Sequence, residues 1–121
     1  MARTTQLTLG ELIQALKRQE EHRTVKFDFC YFVPTGVHSY RGYYEQLAVN
    51  YEDAEAHKVE DFLKVLEDAL GEDFCGYKGG VYKMKESTPV WVDKPNHSSG
   101  TAIVGVRDNG YQVILETANI D

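Results

Sequence analysis

The spacing Leu9, Leu12, Ile13, Leu16 recurs fifty positions later as Val59, Phe62, Leu63, Leu66, whereas the stretches outside these runs alternate. Steps of three and four line one side of an α-helix, and steps of two line one side of a strand. Two helical stripes set among alternating segments predict helices lying on a sheet. The shared spacing could record a duplication. Any amphipathic helix packed on a sheet produces it, however, and that plainer account stands.

Local signals place the elements. Thr8 is positioned to cap the first helix, with Glu11 at the third helical position to complete a capping box. Lys17, Arg18, Gln19, Glu20 and Glu21 read as its solvated end. Residues 25–33 predict a strand with Val25, Phe27, Phe29 and Tyr31 on one face and Lys26, Asp28 and Cys30 on the other. Pro34 and Gly36 end it, and Leu47, Val49 and Tyr51 mark a second short strand. The acidic run 52–55 leads into the second helix, for which Gly71 is the stop.

The last third reads as sheet. A glycine-rich loop at 76–80 leads into Val81, Tyr82 and Met84, and 88–92 is a short strand with Pro89 near its start. After a polar loop at 93–100, strands at 101–106 and 111–117 flank Asp108-Asn109-Gly110, a hairpin signal. The expectation is one α+β domain over 1–121, an antiparallel-rich sheet with two amphipathic helices packed on one face.

Composition then excludes function classes. The net charge of −6 counts against gripping a long nucleic acid, which requires a cationic face. It leaves room for a small phosphorylated ligand, which needs one or two cations only at its site. No apolar run is long enough to span a bilayer and the first residues lack a leader-like stretch, so a cytoplasmic protein is expected. Cys30 and Cys75 are too few for a disulfide framework. His22, His38, His57 and His97 are not at metal-ligand spacing, and no nucleophile elbow, phosphate loop or dinucleotide fingerprint is present. No metal, no cofactor and no catalytic set are therefore expected.

Two segments carry ligand-type chemistry: Tyr40-Arg41-Gly42-Tyr43-Tyr44 and Gly76-Tyr77-Lys78-Gly79-Gly80. Each sets a cation and aromatic rings on backbone that glycine lets turn sharply. Rings stack on a base, a cation meets phosphate and exposed amides donate to oxygens, so the combination suits a nucleotide. Arg41, Lys78 and Arg107 are the candidates for phosphate, and Tyr40, Tyr43, Tyr77 and Tyr82 for bases. Gly79 and Gly80 would offer amides, and Thr88 a polar contact. Against this, tyrosines beside a sheet commonly pack, a lone tryptophan such as Trp91 is more often core, and an arginine between tyrosines can make a structural cation–π contact.

The same motifs carry a likeness. The early Leu-Gly-Glu-Leu-Ile helix, Phe27-Asp28-Phe29, Val33-Pro34-Thr35-Gly36, the 39–44 and 76–80 segments, 88–92 and 100–106 together resemble a widespread family of small phage and prophage proteins over nearly the whole chain. The chain departs from that pattern between His57 and Glu60, where the second helix starts without a threonine cap. Small phage proteins of this style include sponges, which hold nucleotide signals of bacterial immunity, such as cyclic oligonucleotides or cyclic ADP-ribose isomers, without cleaving them. The resemblance implies a non-enzymatic, anti-defence binding protein in the host bacterial cytoplasm, and a homo-oligomer. The alternative is an acidic protein–protein inhibitor of a host defence or transcription complex, favoured if Glu45, Glu52, Asp53, Glu55, Glu60, Asp61, Glu67, Asp68, Glu72 and Asp73 form one face.

Overall fold

A computed structural model describes residues 6–28, 33–40, 46–51, 54–75, 79–93 and 101–119. Helix α1 (Leu9–Lys17) begins with the expected capping box: Thr8 Oγ1 accepts from Glu11 N–H at 3.3 Å, and Glu11 Oε1 accepts from Thr8 N–H at 2.9 Å. Its buried stripe is Leu9, Leu12, Ile13 and Leu16, as the spacing predicts. Helix α2 (Val59–Ala69) buries Val59, Phe62, Leu66 and Ala69, while Leu63 is only half-buried. Lys58 stands at its N-cap with no side-chain bond to the helix. Gly71 follows with φ +83°, a left-handed conformation that ends the helix and that a side chain would strain.

Eight strands complete the described fold: β1 (Thr24–Phe27), β2 (Val37–Ser39), β3 (Leu47–Asn50), β4 (Asp73–Cys75), β5 (Val81–Lys83), β6 (Val90–Asp93), β7 (Thr101–Asp108) and β8 (Gln112–Asn119). Six form one sheet in the order β1-β8-β7-β6-β3-β2, and β4 pairs with β5 as a separate ribbon. Pairing is antiparallel at β2–β3, β4–β5, β6–β7 and β7–β8, and parallel at β1–β8 and β3–β6. The fold is α+β, with both helices packed into one core against the sheet.

Some boundaries differ from the sequence reading. The expected strand at 25–33 is described only as far as Phe27, and 29–32 lie outside the described residues. Gly36 does not close off strand structure, since β2 starts at the next residue. The ribbon strand β4 has no alternation long enough to reveal it. Residues 109–112 turn as expected: Asn109 Oδ1 accepts from Tyr111 and Gln112 N–H at 2.8 and 2.7 Å, and Gly110 has φ +95°.

Strand alternation sorts the core into two layers. Val25, Phe27, Leu47, Val49, Val90, Val92, Ile103, Val113 and Leu115 meet the helices. On the opposite face, Ala48, Trp91 and Ala102 lie in one row across β3, β6 and β7, and Tyr40 packs with them. Two small side chains beside the large indole leave room for the Tyr40 ring. It stacks on Trp91 with centroids 4.7 Å apart and planes within 5°.

Candidate functional site

The turn from Lys85 to Thr88 is held from three sides. Thr88 N–H donates to Lys85 O at 3.1 Å, and Lys85 N–H donates to Thr88 Oγ1 at 2.7 Å. The first turn of α1 docks on it: Leu9 and Gly10 N–H donate to Thr88 O and Glu86 O at 2.7 and 2.9 Å. Gly10 permits this approach, because a Cβ there would meet Glu86 backbone and side chain at 3.1 Å. Gln46, just before β3, is fixed from the other side, its carbonyl accepting from Tyr40 N–H at 2.8 Å and its Oε1 from Trp91 Nε1–H at 2.5 Å.

Between these parts lies a recess of about 230 Å³, lined by Gln46, Lys83, Lys85, Ser87, Thr88 and Pro89. Among the described residues two lysines, an amide and two hydroxyls line it, and no carboxylate does. Lys83 lies 3.3 Å from Asp73 and donates to Gly71 O at 3.0 Å, whereas Lys85 makes no ion pair among the described residues. In a chain of net charge −6 this is a local concentration of donors and positive charge. The volume holds a phosphate and its ester oxygens; pockets that take whole drug-sized ligands measure about 300–1,000 Å³.

A larger open groove of about 720 Å³ runs along α1. Glu11, Glu67 and Glu86 line it alongside Lys17 and Arg18, and Lys17 is already 3.4 Å from Glu67. Its charge suits no anion. The smaller recess is the better candidate on chemistry.

Of the residues expected at a ligand, Thr88 lines the recess and is itself buried. Tyr40 is close in the chain of contacts but is a core residue, with one ring face covered by Trp91. Gly79 and Gly80, with φ +100° and +87°, are exposed at the far end of β5, and Gly80 is three residues, about 10 Å, from Lys83. Tyr82 sits over Gly80, where an added Cβ would approach its hydroxyl to 3.1 Å, and alternation puts it on the other face of β5 from Lys83. Arg107 is not brought to this place. It pairs with Glu116 at 3.5 Å and stands five residues, about 16 Å, along β7 from Ala102, the partner of Trp91. Arg41, Tyr43, Tyr77 and Lys78 lie outside the described residues.

Sequence reasoning passed over Lys83, Lys85, Ser87 and Gln46. The signal for the lysines was there: two residues apart at a strand end, they share a face. Nothing in the sequence announces Gln46, whose place depends on Trp91 arriving from β6.

Two of the histidines meet polar side chains. His38 Nδ1 lies 2.6 Å from Asn50 Oδ1 and Nε2 lies 3.1 Å from Asp93 Oδ2, so both ring nitrogens are engaged across β2, β3 and β6. Glu21, His22 and Glu60 bring three ligand-type atoms within 4.8 Å of one another. All three are exposed, and Glu60 lies in the first turn of α2, where peptide dipoles favour anions over cations. No described helix is long and apolar enough to cross a membrane. Compared with family models, curated proteins and solved structures, the chain matches none.

Proposed function

We propose that this chain is a non-enzymatic binding protein that sequesters a small nucleotide signal, of the cyclic oligonucleotide or cyclic ADP-ribose type, holding a phosphate in the recess between Gln46, Lys83, Lys85 and Thr88. The reading carries with it the phage anti-defence role implied by the sequence likeness. One observation carries the site: a pocket rich in donors and, among the described residues, lined by no carboxylate, on an otherwise acidic chain. A phosphate oxygen there would meet lysine ammonium groups, and charge-assisted bonds of this kind contribute about 1.5–3 kcal/mol each. The recess is smaller than pockets that enclose a whole nucleotide-sized ligand, so the remainder of the ligand extends beyond it.

The test is calorimetric titration with phosphorylated nucleotides and with the matching nucleosides. Binding of the phosphorylated forms alone, weakened at least tenfold in Lys85→Ala at an unchanged melting temperature, supports the reading. Equal binding of nucleosides, or an unaffected Lys85→Ala variant, contradicts it.

A second reading has one observation in its favour. Glu60, Asp61, Glu67 and Asp68 are all exposed on α2, with Glu72 and Asp73 exposed beyond it. That face would suit a basic protein groove, in the manner of an acidic protein–protein inhibitor. It is already partly neutralised, because Glu67 pairs with Lys17, Asp68 with Lys64 and Asp73 with Lys83. Glu45, Glu52 and Asp53 lie outside the described residues.

A further inference from the structure

Gln46 is oriented from behind by a buried aromatic side chain. Its Oε1 accepts from Trp91 Nε1–H at 2.5 Å. An indole nitrogen only donates, so this contact fixes which end of the amide faces the tryptophan: the oxygen. The Nε2 group is the other end, and among the described residues it has no hydrogen-bond partner. The backbone is held too, through Tyr40 N–H to Gln46 O at 2.8 Å, and Leu47 N–H to Pro89 O at 3.2 Å. Trp91 in turn has little freedom: it is buried, flanked in register by Ala48 and Ala102, and stacked on Tyr40.

We propose that Gln46 is the specificity-determining residue of the recess, presenting its Nε2 donors to a ligand oxygen, and that Trp91 is the positioning residue that sets this orientation. The inference rests on the recess being the anion site. It deepens that reading by naming the ligand class. Gln46 Nε2, Lys83 and Lys85 all donate, and Thr88 Oγ1 already accepts from Lys85 N–H. The recess therefore favours a group that offers several acceptor oxygens, a phosphoryl or pyrophosphoryl moiety, over one that presents only N–H donors. A free glutamine would rotate its amide to suit either kind of ligand; one clamped at its oxygen cannot without giving up the indole bond.

The experiment uses the full chain and inorganic pyrophosphate as the probe, titrated by calorimetry into wild type, Gln46→Met, Gln46→Glu, Trp91→Phe and the Gln46→Met/Trp91→Phe double variant. Gln46→Glu keeps an acceptor for the indole while removing the donor. Both Gln46 variants are expected to bind at least tenfold more weakly, with the melting temperature held within a few degrees. Trp91→Phe is expected to lose several-fold in affinity. The double variant should lose no more than Gln46→Met alone, because Trp91 acts through Gln46 and a double-mutant cycle registers that dependence. Wild-type affinity in Gln46→Met overturns the role of Gln46 and leaves the recess standing. Losses that add in the double variant overturn the positioning role of Trp91. Should Trp91→Phe fail to fold, the two Gln46 variants still decide the first point, and Trp91 emission decides the second. Trp91 is the chain's one tryptophan, so its emission should shift on pyrophosphate binding in wild type, and no shift despite binding rejects the coupling. If wild type itself fails to bind pyrophosphate or any phosphorylated nucleotide, the recess reading falls, and this inference with it.

Discussion

At the β7–β8 turn, Asp108 Oδ1 accepts from Gly110 N–H at 2.7 Å and also receives Arg23 Nη1, tying the hairpin tip to the segment before β1. Asn109 caps the next two amides, and Gly110 supplies the positive φ. An added Cβ at Gly110 would touch nothing within 4 Å, so Gly110→Ala tests backbone conformation alone. It should destabilise by about 1–2 kcal/mol, the cost of a left-handed non-glycine residue, and lower the melting midpoint by several degrees. A variant melting like wild type would show that the turn relaxes into another geometry. This turn was legible because few residue types do what Asn109 and Gly110 do. Tyr40 was not. As a ring in a polar segment it reads as a stacking surface, and only the row Ala48, Trp91, Ala102 across three strands makes its place a core position.

At the scale of elements, the two helices start differently. Thr8 closes a reciprocal cap on α1, whereas Lys58 leaves the first amides of α2 without a side-chain acceptor and puts a cation at the positive end of the helix. Thr8→Ala should cost about 1 kcal/mol, and Lys58→Ser should add about 0.5–1 kcal/mol, both read by denaturant unfolding. No gain from Lys58→Ser would mean that the backbone pairing of this segment with residues 23–25 already sets the helix start. Both helices were plain in the sequence because their apolar stripes extend over at least two turns. The strands β2 and β4 were not, since three residues are too few to display alternation. The parallel pairings β1–β8 and β3–β6 join segments far apart in the chain, and no local pattern encodes them.

Over the whole molecule, the candidate site is a product of topology. Gln46 comes from the entry to β3, Lys83 from the ribbon, and Lys85, Ser87 and Thr88 from a turn pinned by the first residues of α1. Thr88 was marked as a polar contact in the sequence, but its lysine neighbours in the recess belong to no motif. The chain's acidity would repel a polyanion, while the recess supplies positive charge over the span of one phosphate. The central claim, that this protein holds a small phosphorylated nucleotide without transforming it, is tested most directly by thermal melting against cyclic dinucleotides, cyclic trinucleotides and cyclic ADP-ribose isomers. At about a hundred times its dissociation constant, the right ligand should add roughly 2.7 kcal/mol and raise the midpoint by several degrees. The account predicts such a shift with one class of ligand, its loss in Lys85→Ala, and recovery of the ligand intact after denaturation. A flat panel, or a ligand recovered as hydrolysis products, would contradict it.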